Sequence, residues 1–262
     1  MPRLSLLGHV LSIAFVSVAS AAGAVSCRDE TYEGNRYTLC EVDAATEEMR
    51  LFLRNDAGQV MGHFSTIDAE LEAEGKTLAF ATNAGMYHAD RSPVGLYVED
   101  GTQVMRLITN PGPGNFGLVP NGVFCLRPGR ADVIETLAYE KSQPGCTSAT
   151  QSGPMLVIDG ALHPKFLKDS TSRYIRNGVG TSADGTRVVF AISRNLVNFY
   201  AFASLFRDHL GLPNALYFDG NISRLHAPEL GRSDAGFSMG PVIGVVEDRD
   251  GAEAATDTPL QN

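Results

Sequence analysis

Residues 198–220 read N-F-Y-A-F-A-S-L-F-R-D-H-L-G-L-P-N-A-L-Y-F-D-G, and they predict a helix followed directly by a strand. Asn198 is a typical helix N-cap residue and Gly211 a typical stop. Between them the apolar side chains recur at helical spacing, which predicts one apolar face. These side chains are Phe199, Phe202, Ala203, Phe206 and Leu210. The apolar run Ala215–Phe218 then predicts a buried strand that ends at Asp219-Gly220.

Outward from this stretch, short apolar runs between Gly- and Pro-containing turns predict many more strands. The predicted strands span residues 36–42, 49–53, 77–82, 94–98, 103–108, 122–126, 132–136, 155–158, 175–181, 187–193 and 242–246. A second helix is predicted from an N-cap at Ser65 to a stop at Gly75. The chain shows no internal repeat and no long linker. It therefore predicts an α+β fold, a single domain over residues 25–247 with a mixed, many-stranded β-sheet core and a few packed helices.

The charge balance narrows the class of ligand. The 262 residues include 21 Lys and Arg against 30 Asp and Glu, for a net charge of −9. This argues against general nucleic-acid binding, which needs a basic surface. An anionic small substrate remains compatible, because local arginines can outweigh the net charge.

The two ends of the chain differ in composition from its middle. Residues 1–24 predict a signal peptide, with Arg3, an apolar run and a small-residue cleavage site at Ala22-Gly23-Ala24. An uncleaved anchor is the alternative, and a lipoprotein signal ending at Cys27 matches poorly. We therefore expect a periplasmic or secreted protein with no stable membrane span after cleavage. The polar residues 248–262 predict a disordered acidic tail.

Four cysteines lie after the predicted signal peptide, an even number that suits disulfides in an exported protein. Of the three possible pairings we favour Cys27–Cys40 and Cys125–Cys146, because each closes a short loop through turn-rich sequence. The absence of C-x-x-C spacing argues against a zinc site.

Two motif matches lack the context that their chemistry requires. Residues 112–117 match G-x-G-x-x-G, but Pro120 and Gly122 follow where a dinucleotide site needs a helix. Residues 236–240 match G-x-S-x-G, but Pro241 and a strand follow, and no histidine comes after Ser238. We interpret both as loops.

Polar residues cluster with glycine at the ends of apolar runs in four segments, residues 83–87, 151–154, 176–180 and 219–223. Glycine lets backbone approach a ligand, amides recognise hydroxyls, and arginine binds anions. Each polar residue also has a simpler interpretation. Asp219 could open a D-G turn, as at four other positions, Arg176 could be a surface residue, and Asn83 could cap a turn.

The ordered set of segments resembles the phosphodiester glycosidase family over residues 36–247. The matching pieces are N-A-G-M-Y at 83–87, S-P-V-G-L-Y-V at 92–98, Q-S-G-P-M-L-V at 151–157, I-R-N-G-V-G at 175–180 and L-Y-F-D-G-N-I-S at 216–223. Two departures occur, since the family commonly has glycine where this chain has Ala84 and Asn221. Both added side chains could narrow a pocket.

The resemblance implies an exported hydrolase that cleaves the glycosidic bond of a sugar-1-phosphodiester in the cell envelope. It implies two catalytic residues, Asp219 to activate water or stabilise the developing cation, and Arg176 to stabilise the phosphate. It also implies substrate-binding residues in one pocket, namely Asn83, Gly85, Gln151, Ser152, Gly153, Asn177, Gly178, Gly220 and Ser223.

Other functions remain open from the sequence. Because the motifs place only one carboxylate and glycosidases usually pair two, a non-catalytic glycan-binding protein using the same cleft is the alternative. We expect no cofactor. A divalent cation at Asp219 is a third possibility, without ligands at diagnostic spacing to support it. The substrate partner would be a sugar phosphodiester or an envelope glycan, and the oligomeric state is not predicted.

Overall fold

The computed structural model describes residues 25–220 and 222–249. The predicted signal peptide and the part of the predicted tail from residue 250 lie outside the described residues. The last strand includes Asp248, and the side chain of Arg249 donates to the carbonyl of Lys76 at 3.1 Å. Regular structure therefore continues just past the domain end expected at residue 247.

Short strands make up most of the described chain. In chain order they are β1 (Ser26–Tyr32), β2 (Asn35–Asp43), β3 (Glu48–Phe52), β4 (Lys76–Asn83), β5 (Tyr97–Glu99), β6 (Thr102–Met105), β7 (Gly122–Arg127), β8 (Arg130–Glu135), β9 (Ser148–Ser152), β10 (Met155–Ile158), β11 (Ala161–Leu162), β12 (Asn177–Thr181), β13 (Arg187–Ser193), β14 (Asn214–Asp219), β15 (Leu225–Ala227), β16 (Arg232–Ser233) and β17 (Val242–Asp248). The α-helices are α1 (Phe64–Glu72), α2 (Thr136–Ser142) and α3 (Phe199–Ser204). This composition confirms the predicted α+β class.

The strands form three sheets. Their orders are β1-β2-β13-β12-β14-β10-β11, β16-β15-β4-β17-β3 and β6-β5-β9-β7-β8. Every strand pairing among the described residues is antiparallel. The fold therefore combines sheets with helices, but none of these sheets combines parallel with antiparallel strands. Tight turns produce the antiparallel pairing of β5 with β6 and of β10 with β11. Both residues of Asp100-Gly101 and of Asp159-Gly160 have positive φ, as type I′ hairpins require.

The three sheets meet at a cluster of phenylalanines. Phe190 of β13 lies 4.8 Å from Phe80 of β4 and 5.9 Å from Phe124 of β7, between ring centroids. Phe218 of β14 lies 6.2 Å from Phe124. All four are buried, so each sheet contributes to one shared core.

The predicted helix after Asn198 is confirmed, and it covers the opposite face of the seven-stranded sheet. The side chain of Asn198 accepts a hydrogen bond from Ala201 N at 2.9 Å, as an N-cap does. The α-helix gives way to a π-helical turn over Leu205–His209. Phe206 in this turn packs against Gly180 of β12, where a Cβ would lie 2.7 Å from its ring.

Several elements differ from the sequence prediction, and three of them show why. α1 begins at Phe64 with His63 as its N-cap, and not with Ser65. α2 begins at Thr136, where the predicted strand still continued, because the side chain of Glu135 accepts from two backbone N–H groups and caps a helix there. β9 was not predicted, since its residues S-A-T-Q-S are buried on both sides but not apolar.

Both favoured disulfides are confirmed. Cys27 pairs with Cys40, which lies directly opposite it across β1 and β2, and Cys125 pairs with Cys146. No helix within residues 25–220 and 222–249 is long and apolar enough to cross a membrane.

Candidate functional site

The candidate site lies at the ends of three strands, β4, β12 and β14. Hydrogen bonds between their terminal residues join these ends. Asn83 is the last residue of β4, Asn177 the first of β12, and Asp219 the last of β14. Asn177 Nδ2 donates to Asn83 Oδ1 at 2.5 Å, and Asn177 Oδ1 accepts from Asp219 N at 3.0 Å. Asn177 thus links two sheets and fixes the backbone of Asp219.

The backbone at Asp219 is not a hairpin turn. Gly220 lacks the positive φ that the glycine has at the Asp100 and Asp159 turns. The carboxylate of Asp219 accepts from Gly220 N at 2.6 Å, and its carbonyl accepts from Ser223 Oγ at 3.1 Å. These bonds fold the chain back after β14 and hold the half-buried Asp219 at the end of the sheet.

Position 220 needs glycine because the Tyr217 hydroxyl occupies the space that a side chain there would take. A Cβ at this position would lie 2.1 Å from the Tyr217 hydroxyl oxygen. Burial raises the pKa of Tyr217, and the nearby charge of Asp219 raises it further. The phenol is therefore a neutral group beside the carboxylate at physiological pH.

Arg176 precedes β12 and is enclosed by the fold, with only 1% of its surface exposed. Its guanidinium carbon lies 3.6 Å from the centroid of the Phe199 ring. Nε donates to the carbonyl of Val197 at 3.0 Å and Nη2 to that of Ser172 at 3.1 Å. Burial lowers its pKa, and the neighbouring Tyr217 opposes that shift.

The charge of Arg176 has no acidic partner in the described part of the chain. None of the ion pairs found there includes Arg176, and its Nη1 is buried without a hydrogen-bond partner among those residues. A buried, uncompensated guanidinium produces a positive potential that favours an anion nearby.

Tyr87 and Arg224 are two further candidate residues that the sequence analysis did not assign to the site. Burial raises the pKa of Tyr87, and the charge of Asp219 raises it further, whereas the charges of Arg91 and Arg224 lower it. Arg224 N donates to Asn83 Oδ1 at 3.2 Å, which ties it to the chain of amides. The available signal was position, since Arg224 directly follows the motif at residues 216–223.

The remaining expected polar residues are Gln151 and Ser152, and their side chains bond to neighbouring loops and strands. Gln151 Oε1 accepts from Leu96 N and Ile108 N, both at 3.0 Å, while Nε2 donates to Ile108 O at 2.7 Å and to Thr136 Oγ1 at 3.1 Å. Its amide has no capacity left for a sugar hydroxyl. Ser152 is fully buried and donates to the carbonyl of Phe218 at 2.8 Å. Both residues position loops and strands in this structure.

The expected glycines allow close packing. A Cβ at Gly178 would lie 2.4 Å from the carbonyl oxygen of Leu216, and one at Gly153 would lie 2.6 Å from Asn121 Cβ. A Cβ at Gly85 would lie 3.1 Å from Thr150 Oγ1. These glycines let neighbouring strands approach each other, which is a structural role.

Both motif matches are loops, as predicted. Residues 112–117 form turns and the next element is strand β7, not a helix, and a Cβ at Gly117 would lie 2.0 Å from the carbonyl oxygen of Gly112. Residues 236–240 lead into β17. Across the described chain no group of three or more His, Cys, Asp and Glu side chains is arranged to hold a metal ion.

Comparison with known proteins identifies relatives of this chain. The family described as phosphodiester glycosidase matches residues 76–227, which is more than half of the chain. The uncharacterized protein YigE of Escherichia coli (strain K12) is 33% identical over 208 residues, covering 79% of this chain and 80% of YigE.

Two solved structures share the fold at low sequence identity. A hypothetical protein from Synechocystis matches with a TM-score of 0.59 and 13% identity over 85% of this chain, which spans 61% of that protein. The catalytic domain of zebrafish N-acetylglucosamine-1-phosphodiester alpha-N-acetylglucosaminidase, auto-inhibited by its pro-peptide, matches with a TM-score of 0.55 and 12% identity, over 84% of this chain and 81% of that domain. The family match includes the site-forming ends of β4, β12 and β14, and this chain belongs to the phosphodiester glycosidase family.

Proposed function

We propose that the protein is an exported hydrolase that cleaves the glycosidic bond of a sugar-1-phosphodiester in the cell envelope. Membership of the phosphodiester glycosidase family supports the reaction class. The observation that carries the proposal is the placement of Asp219. Its backbone is fixed by Asn177, which directly follows the buried Arg176, and the same chain of hydrogen bonds includes the backbone of the buried Arg224. Such a site suits a substrate with an anionic group next to the bond that breaks.

In the proposed reaction, water attacks the anomeric carbon through a transition state with oxocarbenium character. The oxygen of water forms a bond to that carbon, while the bond from the carbon to the phosphate oxygen breaks. Asp219 takes the proton from the attacking water. The electron pair of the broken bond leaves with the phosphate, so the products are a free sugar and a phosphomonoester.

The arginine acts on the leaving group. A phosphate is stable as an anion, so it can leave without a strong general acid. Arg176 lowers the energy of the charge that develops on it, and the surrounding burial strengthens this effect. Asn83 and Ser223, which share hydrogen bonds with the Asp219 region, orient the sugar in this proposal.

A second candidate function is glycan binding without turnover. Asp219 is the only carboxylate among the described residues that the hydrogen-bonded chain brings together, whereas most glycosidases use two. A binding protein would use the same amides and arginines, and only the reaction itself separates the two functions.

The test is hydrolysis of a chromogenic phosphodiester of α-N-acetylglucosamine-1-phosphate by the mature protein, with and without a chelator. Asp219→Asn should lower turnover by about 100-fold or more if the carboxylate activates water. Asp159→Asn is the matched control, because Asp159 also precedes glycine but lies in a hairpin turn that asparagine accepts. Equal turnover in the wild type and Asp219→Asn would contradict the assignment. Glycan binding without turnover would favour the second function, and loss with chelator would indicate a metal.

Export is part of the proposal, and two disulfides support it because such bonds persist in oxidising compartments. Expression of the full chain in a bacterium should give a mature protein in the periplasm or medium. N-terminal sequencing should find Val25 as its first residue. Recovery of the full-length chain in the cytoplasm would contradict export.

A further inference from the structure

We propose that Arg224 binds the phosphate of the substrate directly, whereas Arg176 acts on it through its field. This inference rests on the proposed function, because it names the group that would hold the anionic part of a sugar phosphodiester. The ligand class is a phosphate ester whose phosphate lies next to Asp219.

Arg224 is connected to Asp219 through the amides of the site. Its backbone N–H donates to Asn83 Oδ1 at 3.2 Å, and that same oxygen accepts from Asn177 Nδ2 at 2.5 Å. Asn177 Oδ1 in turn accepts from Asp219 N at 3.0 Å. The main chain at Arg224 is therefore held in a defined position relative to the carboxylate.

The guanidinium of Arg224 is a buried cation with no carboxylate of the described residues in direct contact, although the charge of Asp234 also acts on it. Only 6% of the residue surface is exposed. No carboxylate of residues 25–220 and 222–249 lies within 4.0 Å of its side-chain nitrogens, and Nη2 donates to the carbonyl of Phe237. Burial lowers its pKa, and interactions with Tyr87 and Asp234 oppose that shift. A phosphate would supply the missing charge and accept hydrogen bonds from the planar guanidinium.

The loop at residues 236–240 leaves space for this arrangement. A Cβ at Gly236 would lie 2.3 Å from Arg224 Nη2, so any larger residue there would displace the guanidinium. At the other end of the loop, a Cβ at Gly240 would lie 2.5 Å from Tyr87 Cγ. The G-x-S-x-G match thus has a physical reason unrelated to a nucleophilic serine, because its glycines make room for Arg224 and Tyr87.

Tyr87 and Arg224 both border the loop at residues 236–240, at Gly240 and Gly236. Burial and the charge of Asp219 raise the pKa of the Tyr87 phenol, whereas the charges of Arg91 and Arg224 lower it. In this proposal the sugar reaches Asp219 and its phosphate lies toward Tyr87 and Arg224.

The two arginines differ in what they can contact. Arg176 is covered by Phe199 and donates to two backbone carbonyls, so it acts on the ligand through its field. Arg224 donates to one carbonyl among the described residues and retains further N–H groups for a ligand. This difference assigns direct contact to Arg224.

The experiment compares the wild type with Arg224→Met and Arg224→Lys, and with Arg106→Met as a control at an exposed arginine. Calorimetry would measure the affinity for N-acetylglucosamine-1-phosphate and for N-acetylglucosamine. We expect Arg224→Met to weaken binding of the phosphate ester at least about 10-fold while leaving the sugar unaffected. Hydrolysis of the chromogenic phosphodiester should fall about 100-fold, and Arg224→Lys should recover part of both effects. Arg106→Met should match the wild type.

The outcomes separate this inference from the proposed function. Equal affinity for the phosphate ester in wild type and folded Arg224→Met would overturn the inference, as would a wild type with no such affinity. Phosphate-dependent binding that is lost in Arg224→Met, in a wild type that hydrolyses no diester, would support Arg224 and contradict the hydrolase. If the Met variant does not fold, Arg224→Lys decides. Unchanged affinity and unchanged hydrolysis in that variant would overturn a planar guanidinium contact.

Discussion

At the scale of single residues, the hydroxyl of Tyr217 occupies the space that a side chain at position 220 would need. The distance from a Cβ there to the hydroxyl oxygen is 2.1 Å, but the distance to the adjacent ring carbon is 3.4 Å. The conflict thus involves mainly one oxygen atom. Removing that oxygen should restore room for a methyl group.

We therefore predict that Gly220→Ala lowers the free energy of unfolding by about 1–3 kcal/mol, as overpacking does. Tyr217→Phe should offset most of this loss in the double variant. Urea unfolding of the four proteins in this double-mutant cycle measures the coupling. Strictly additive effects would contradict the contact between the hydroxyl and position 220.

At the scale of an element, the start of α1 shows how a helix can form without its best capping residue. His63 is the N-cap residue, but its side chain makes no capping hydrogen bond, and the first turn has no acidic residue. The side chain of Asp68 in this helix accepts from Thr77 Oγ1 and Leu78 N. It joins α1 to β4, so tertiary packing determines where the helix begins.

His63→Asp should therefore stabilise the protein by about 0.5–2 kcal/mol, because the carboxylate can accept from free N–H groups and favours a helix N-terminus. Ser65→Ala should change the stability by less than about 0.5 kcal/mol, since Ser65 lies within the exposed first turn. Chemical denaturation measures both. A larger loss in Ser65→Ala than the gain in His63→Asp would place the cap at Ser65 after all.

At the scale of the whole molecule, two buried acids make stability depend on pH. Burial raises the pKa of Glu47 from 4.5 to about 7, and Oε2 of this residue has no hydrogen-bond partner in the described chain. Burial also raises the pKa of Glu99 from 4.5 to about 7. Both pKa values are higher in the folded state than in the unfolded state. The folded state therefore binds more protons than the unfolded state between pH 4.5 and about 7.

The free energy of unfolding from these two groups should therefore fall as the pH rises from 4.5 to about 7. Their contribution is fully present below the unfolded pKa. Replacing both by glutamine should flatten the slope in this window, because glutamine resembles the protonated acid. Urea titrations at several pH values measure the slope. A double variant with the slope of the wild type would contradict the raised pKa values.

Predictability differed between hairpins and buried polar segments. The turns at Asp100-Gly101 and Asp159-Gly160 were predictable because their conformation is local and requires glycine. β9 was not, because its residues S-A-T-Q-S become buried only through partners distant in the sequence. Thr150, for example, donates to the carbonyl of Ala84 across the core.

The same limit applies to the candidate site. Asp219, Arg176 and Asn177 could be proposed from motifs at strand ends, whereas Arg224 had only its position after the motif at residues 216–223, which does not show that it is buried. The roles of Gln151 and Ser152 also depended on their partners. Their side chains bind groups that lie 15 to 66 residues away in the chain.

The sequence by itself determined the α+β class, the disulfide framework, the helix after Asn198 and the family. These features depend on composition, on local conformational preference and on motif order. Only the tertiary structure decided that Asn177 links the sheets, that Gly220 makes room for Tyr217, and that Arg224 is a buried cation whose backbone is tied to Asn83. The reason is physical, since burial and missing charge partners arise only when three sheets bring distant segments together.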